Sequence, residues 1–223
     1  MFLSSPPVEW LSWACVAVLL LFCWIYGHDA IQDFRRHPRL SLHLTCAVTL
    51  GLALLWSLSL ETGLGFHLHF TGIAFAVLLL GPELAYFACL IAASCVLMLK
   101  QFDPWILPLS LIFGGLLPVL MMHWLVLTER KKQSHNFFVF IMVNGFLGGM
   151  LVVSLIVILG VGVAQFLDPD TLNGDALLML QYIPLIALPE GILNGMLVTG
   201  FLVFKPEWVR TLDENRYEHP VKK

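Results

Sequence analysis

Two neighbouring histidines are the first side chains of this chain that could do chemistry. His67 and His69 stand two residues apart, between Gly65 and Gly72. In extended backbone such residues project to one side, whereas in a helix they point in nearly opposite directions. Two neutral imidazoles on one side can bind a divalent metal ion. The pair therefore predicts a metal site only if the segment is non-helical, which the glycines permit; the other interpretation is two interfacial histidines.

Two polar side chains, Glu190 and Asn194, interrupt the last apolar stretch of the chain. An ionisable group at membrane depth costs about 2.5–3.5 kcal/mol on insertion scales, so it needs a partner or a function. Pro184 and Pro189 predict a broken helix here, which membranes tolerate where it is buried or lines a cavity. A Gly-xxx-Gly sequence follows Glu190 and favours close helix packing. Three interpretations stay open: structural hydrogen bonding, an ion path, or contact with a partner.

The composition identifies the environment that these residues occupy. The chain has 223 residues, of which 59% are hydrophobic and 12% charged, and its mean hydropathy is +0.86. A soluble domain is about 45–50% apolar and about 25% charged. A cytosolic enzyme, a disordered chain and a disulfide-stapled secreted module are therefore excluded, and the long apolar runs disfavour a β-barrel. We predict an all-α membrane protein, with residues 1–223 forming a single integral membrane domain.

Hydropathy and charge together predict the topology. The apolar runs cover about 8–26, 40–60, 70–99, 105–127, 136–166 and 176–204. The third run would make a helix of about 45 Å, so we divide it at Gly81-Pro82 into 67–81 and 83–99. The first part is short for a span, and we expect it to start in the preceding loop or to be a shorter buried helix. The positive-inside rule then assigns every cluster of Lys and Arg to the cytoplasm. The prediction is about seven transmembrane helices, with the N-terminus outside and the C-terminus cytoplasmic.

Missing motifs narrow the function further. The chain has no GxxxxGK[ST] sequence, so any ATP-driven step needs another subunit. It has no HExxH motif, and Glu190 has no obvious histidine partner in the sequence, so we predict that the chain is not an enzyme. A net charge of −3 gives no indication of nucleic-acid binding.

Three stretches resemble one transporter family. The first is His69–Gly72, followed by Gly81-Pro82; the second is the acid-Gly-xxx-Gly sequence that begins at Glu190; the third is the basic-Pro exit at Lys205-Pro206. Together they are similar to the CbiM-type permeases, the substrate-binding membrane components of energy-coupling-factor transporters for cobalt and nickel.

The resemblance implies a metal site near His69, with a changed ligand set. The family's site uses the N-terminal amine, the amide and imidazole of a histidine at position 2, and the histidine that His69 matches. Here position 2 is Phe2, the proline of the family's motif is a phenylalanine, and the family's asparagine is missing from the matching segment 108–114. We therefore expect His69 and His67 as the first ligands, with Glu61 or another outer-loop acid as a further one. Cobalt or nickel is the ion that the family implies, and imidazole with carboxylate also suits zinc or copper.

Two functional hypotheses follow. In the first, the chain binds a divalent transition metal ion at the outer face of the bacterial inner membrane. Its transport would then need a membrane coupling subunit and cytoplasmic ATPases. In the second, a diverged member keeps the fold as a non-transporting scaffold or as an assembly factor for a metalloprotein. The histidine pair favours the first hypothesis, and Phe2 favours the second.

Overall fold

Helices make up almost all of the described structure. The computed structural model describes residues 9–36, 38–61, 67–101, 104–131, 136–167 and 179–212. Six helices in these ranges are long and apolar enough to cross a membrane, which confirms a multi-pass helical membrane protein. The helices are α1 (Glu9–Arg36), α2 (Pro38–Ser57), α3 (Ile73–Leu80), α4 (Pro82–Lys100), α5 (Pro104–Lys131), α6 (Phe137–Phe140 continuing through a π-helical turn, Ile141–Leu147, into Gly148–Leu167) and α7 (Ile183–Phe204).

Helix α3 is too short to be the seventh span. The sequence predicts a helix over 67–81, whereas α3 has eight residues, which is about 12 Å of helix. The hydrocarbon core of a bilayer is about 30 Å thick. The described residues therefore form six long helices and one short buried helix, as the second expectation for this segment has it, and seven transmembrane spans are not confirmed.

The predicted turn at Gly81-Pro82 is confirmed and ends α3. Gly81 has φ +80°, and its N–H donates to the carbonyl oxygen of Val77 at 2.9 Å. Pro82 is the first residue of α4, where its missing N–H costs little. Glu83 lies in the first turn of α4, where the helix dipole favours an acid.

Helix α3 is the core of the described bundle. It contacts α2, α4, α5, α6 and α7, and its sequence is apolar on every face, as expected for a fully enclosed helix. At most 2% of the surface of seven of its eight residues is exposed: Ile73, Ala74, Ala76, Val77, Leu78, Leu79 and Leu80. By contrast, α1 is peripheral, and 80% of the surface of Trp24 is exposed.

Arginines from three separate basic clusters, Arg36, Arg130 and Arg210, lie at one end of the described bundle, which we call the basic end. Arg210, in the segment after α7, forms an ion pair with Asp33 at the end of α1 and donates to Ser41 Oγ of α2 at 2.6 Å. Arg130, at the end of α5, donates to the carbonyl oxygen of Thr211 at 2.6 Å. Clusters that are far apart in sequence therefore share one face.

A short antiparallel pairing lies at the other end, which we call the opposite end. Strand β1 (Leu60–Glu61) pairs with β2 (His67–Leu68), so that the backbone of Glu61 lies opposite that of His67. The segment from His69 to α3 is also non-helical. The backbone at His67 and His69 is therefore non-helical, which is the condition under which two histidines at this spacing can share a metal ion.

Helix α7 continues through Pro189, so the break predicted there is wrong, whereas the chain leaves the helix at Tyr182, just before Pro184. Pro184 lies in its first turn, and Pro189 lies inside the helix. Ala187 and Glu190, on either side of Pro189, are both about 1% exposed. Their tertiary contacts hold the helix through the proline, as packed membrane bundles commonly do.

Candidate functional site

The Glu190 carboxylate is buried and accepts four hydrogen bonds. Oε1 accepts from Thr71 Oγ1 at 2.6 Å, from Gly72 N at 2.9 Å and from Asn194 Nδ2 at 3.0 Å, and Oε2 accepts from Thr71 N at 2.9 Å. Only 1% of the residue is exposed. All four partners are donors, which is the pattern that an ionised carboxylate requires. Without them, burial of this group would be strongly unfavourable.

Glu190 and Asn194 cap α3 from a helix that is distant in sequence. The first N–H groups of a helix have no acceptor within the helix, and the residue before α3, Gly72, has no side chain to supply one. Glu190 accepts the N–H groups of Thr71 and Gly72, and Asn194 Oδ1 accepts that of Phe75 at 2.9 Å. The helix dipole adds to the stabilisation of the carboxylate.

Close packing between α6 and α7 brings these side chains to α3. A Cβ atom on Gly191 would lie 2.8 Å from the carbonyl oxygen of Phe146. A Cβ atom on Gly149 would lie 2.8 Å from Asn194 Nδ2. The Gly-xxx-Gly sequence after Glu190 therefore forms part of the α6–α7 interface. A side chain on Gly191 would push the helices apart, whereas a Cβ atom on Gly195 would lie at an ordinary contact distance of 3.5 Å from Phe146 Cβ.

His69 is half-buried and is oriented by its own backbone and by Trp56. Its Nδ1 lies 3.0 Å from the carbonyl oxygen of Phe70, and its ring centroid lies 5.6 Å from that of Trp56. Trp56 Nε1 also donates to the carbonyl oxygen of Thr71 at 2.9 Å. Because a carbonyl only accepts, the Phe70 contact assigns the proton to Nδ1 and the lone pair of the neutral ring to Nε2. Metal-binding histidines are often oriented in this way.

A cavity of about 10 Å³ adjoins His69. It is lined by Trp56, His69, Ser110 and Gly114, among others, and its size is close to that of one water molecule. Ser110 Oγ is buried and has no hydrogen-bond partner in the part of the chain that the structure describes. A buried hydroxyl in this situation suits a bound water or ion.

Sequence reasoning gave no role to Thr71 or Ser110, although both lie in segments that it singled out. The available signals were weak: a threonine directly after the histidine motif, and a single hydroxyl in an apolar run. Ser110 lies just before a π-helical turn, Ile112–Leu116, which the sequence does not reveal.

Within the part of the chain that the structure describes, the predicted ligands do not form a complete metal site, and the prediction stays untested because the side chains of His67 and Glu61 lie outside that part. The described residues contain no group of three or more His, Cys, Asp or Glu side chains that could hold a metal ion. His67 is paired with Glu61 through the backbone, but its side chain lies outside what the structure describes. Glu190 and Asn194 contact Thr71, Gly72 and Phe75, and neither has a hydrogen bond to His69 in the described structure.

Residues 2–208 match the family model of the cobalt uptake substrate-specific transmembrane region, CbiM. The chain belongs to the CbiM family. The resemblance predicted from the three motifs is confirmed. Neither a curated protein nor a solved structure matches the chain.

CbiM membership gives the site a functional context. CbiM proteins are membrane components of cobalt uptake, and the family is one of transport rather than of enzymes. Cobalt is accordingly the substrate class that the family suggests. The matched range includes His69, Thr71 and Glu190, so the polar network lies inside the CbiM region.

Proposed function

We propose that this CbiM chain is the substrate-binding subunit of an energy-coupling-factor-type transporter. It takes up cobalt, nickel or a similar divalent ion, which is cargo rather than a resident cofactor. By the positive-inside rule, the basic end faces the cytoplasm and His69 faces the outside of a bacterial inner membrane. A membrane coupling subunit and cytoplasmic ATPases supply the energy, because the chain has no P-loop.

The orientation of His69 is the observation that supports this proposal most directly. The carbonyl oxygen of Phe70 fixes the ring tautomer, so Nε2 carries the lone pair that a metal ion needs. The small cavity with Ser110 lies against the same ring. His67 is the second proposed ligand, and Glu61 is a third donor from the paired strand.

Glu190 and Asn194 act in this proposal as positioning residues. A metal site requires ligands held within about 0.5 Å of their working geometry. The Glu190 carboxylate fixes Thr71 and Gly72, which follow His69 closely in the chain. The network therefore limits how far the histidine segment can move, without contributing a ligand.

Metal content tests the proposal. The chain is purified in detergent without chelator, and bound Co, Ni, Zn and Cu are measured by mass spectrometry in the parental protein, His69→Ala and His67→Ala. His43→Ala is the matched control, because His43 is an exposed histidine of α2. We expect near-stoichiometric metal in the parental protein and the control, and its loss in His69→Ala. Parental metal content in His69→Ala would contradict the site.

A non-transporting scaffold or metalloprotein assembly factor is the second candidate. One observation favours it: His69 packs against Trp56 and bonds to the Phe70 carbonyl, and both contacts are structural. In this case, incubation with Co, Ni, Zn or Cu leaves no metal above the level of His69→Ala. The substitution would then lower only the thermal stability of the protein.

A further inference from the structure

A groove runs along the side of the bundle between α2 and α7. Both helices pack against α3, and in the described structure they make little contact with each other. Phe75 is the one residue of α3 that is not buried, and it lines this opening together with Gly51 of α2 and Leu197 of α7. Within the part of the chain that the structure describes, the core helix is therefore uncovered only at the groove.

The groove is apolar along its length and has the width of a chain rather than of a helix. Its described lining consists of apolar side chains and glycines, from Gly72 and Leu55 at the opposite end to Leu44, Leu79 and Trp208 at the basic end. Gly72 and Leu79 are separated by about 10 Å of helix rise, so a volume of about 250 Å³ leaves a cross-section of about 25 Å². This is roughly a quarter of the cross-section of a helix with its side chains, which is about 10–12 Å wide. An extended hydrocarbon chain fits the groove, and a transmembrane helix does not.

A row of aromatic rings leads along the groove to a cation. The ring centroids of Phe75 and Phe201 lie 5.2 Å apart, and those of Phe201 and Trp208 lie 6.0 Å apart. Lys205 Nζ lies 5.9 Å from the ring centroid of Trp208, and 55% of its side chain is exposed. Its ion pair with the similarly exposed Glu207 has an N–O distance of 3.6 Å. Exposed pairs of this kind are weak, so another anion can take the place of Glu207.

We propose that the groove binds an anionic phospholipid, with one acyl chain along Phe75 and Phe201 and the phosphate beside Lys205. Positive charge stands at only one end of the described groove: Lys205 follows α7, and Arg39 is exposed in the first turn of α2. A molecule that matches this pattern has a long apolar chain and one anionic headgroup. Both walls of the groove are helices long and apolar enough to cross a membrane, so lipid surrounds them, and basic residues at a membrane surface attract anionic headgroups. The acyl chain covers the part of α3 that the protein leaves open.

Native mass spectrometry of the full chain, purified in detergent without metal, tests the acyl-chain site. The probes are phosphatidylglycerol and phosphatidylcholine with identical acyl chains. Gly51→Leu fills the groove, because a Cβ atom on Gly51 meets nothing within 4 Å, and Gly200→Leu fills equally open space on α7 outside the groove lining. We expect the parental protein and Gly200→Leu to retain one phosphatidylglycerol, and Gly51→Leu to retain about tenfold less, since the loss of about two buried methylene groups already has this effect. Equal retention in the two variants would identify the bound molecules as general bilayer lipid and overturn the inference.

Lys205→Gln tests the headgroup and leaves the groove unfilled. Lys131→Gln is the matched control, because Lys131 is an exposed lysine at the end of α5 and does not line the groove. We expect the preference for phosphatidylglycerol over phosphatidylcholine to fall about fivefold in Lys205→Gln alone. An unchanged preference would overturn the inference, and so would a dimer of the chain that carries no lipid and that Gly51→Leu abolishes. No part of this experiment uses metal, so its result does not depend on the proposed function.

Discussion

Both ends of α3 have backbone N–H or C=O groups that find no partner within the helix. The two ends satisfy these groups in different ways. At the opposite end, the Glu190 carboxylate, 1% exposed, accepts four hydrogen bonds. At the basic end, Arg210 N and the N and Oγ1 of Thr211 donate to the last carbonyl oxygens of α3. An ion pair between Arg210 and Asp33, whose side chains are 17% and 32% exposed, holds this segment after α7 in place. One end is sealed from water, and the other is partly hydrated.

This difference in burial indicates which end of α3 can rearrange at the lower energetic cost. Breaking a buried charged network by removing one partner costs about 3–5 kcal/mol, whereas exposed ion pairs contribute about 0–1 kcal/mol. Water can reach the partly exposed ion pair between Arg210 and Asp33 at the basic end, and it cannot reach the buried partners of Glu190. We therefore expect the structure to be more rigid beside the proposed metal ligand than at the basic end.

The largest effect is expected from Glu190→Ala. The substitution leaves the donors of Thr71 and Gly72 buried without an acceptor, at a cost of about 3–5 kcal/mol. We expect the thermal midpoint in detergent to fall by roughly 10 °C, with loss of monodisperse protein. Glu207→Ala, at an exposed site, is the control. Equal midpoints for the two variants would contradict the claim that the buried hydrogen bonds of Glu190 stabilise the protein.

The second largest effect is expected from Gly191→Ala. Its new Cβ would lie 2.8 Å from a backbone oxygen of α6 and 2.5 Å from Met150 Cγ, so α7 must move away and carry Glu190 with it. Overpacking of this kind costs about 1–3 kcal/mol. Gly200→Ala, on the same helix and with nothing within 4 Å, should leave the thermal midpoint unchanged. A midpoint that is equally unchanged in Gly191→Ala would show that α7 can shift without loss.

Much of the fold could be predicted because hydropathy reports directly on burial in lipid. The six long helices correspond to the apolar runs, and the turn at Gly81-Pro82 follows from the backbone preferences of those two residues. The start of α3 could not be predicted, since nothing local to residues 69–72 indicates where their backbone groups find partners. Their hydrogen bonds go to α7 instead of continuing a helix.

The site was harder to predict, because its contacts join residues far apart in sequence. Glu190 was identified from the cost of burying a charge, but nothing local to it indicates Thr71, which is 119 residues away. Pro189 was misread for a related reason: tertiary contacts outweighed its local preference. The histidine pair was visible in the sequence, and its role as a metal site stays a prediction.

A smaller effect is expected from Asn194→Ala. Comparison with Asn136→Ala contrasts a cap supplied by a helix distant in sequence with a cap supplied by the residue that precedes its own helix. Asn194 accepts from Phe75 N in the core at 2.9 Å, and Asn136 accepts from Phe138 N at the exposed start of α6 at 2.8 Å. Loss of the buried acceptor should cost about 1–3 kcal/mol, and loss of the exposed cap about 1 kcal/mol. Thermal midpoints of Asn194→Ala and Asn136→Ala give the comparison. A larger drop for Asn136→Ala would contradict the importance of burial here.

The smallest effect is expected from Asp33→Asn, which removes the charge that secures Arg210. The pair is partly exposed, so the loss should be about 0–1 kcal/mol. Salt screens such a pair, so the midpoints of the parental protein and Asp33→Asn should converge as NaCl rises from about 0.05 M to about 1 M. Glu190→Ala should keep its full deficit at both salt concentrations, because no water or salt reaches that carboxylate. The assignment would be contradicted if the midpoint of Glu190→Ala approached that of the parental protein at high salt. It would also be contradicted if the midpoint of Asp33→Asn did not.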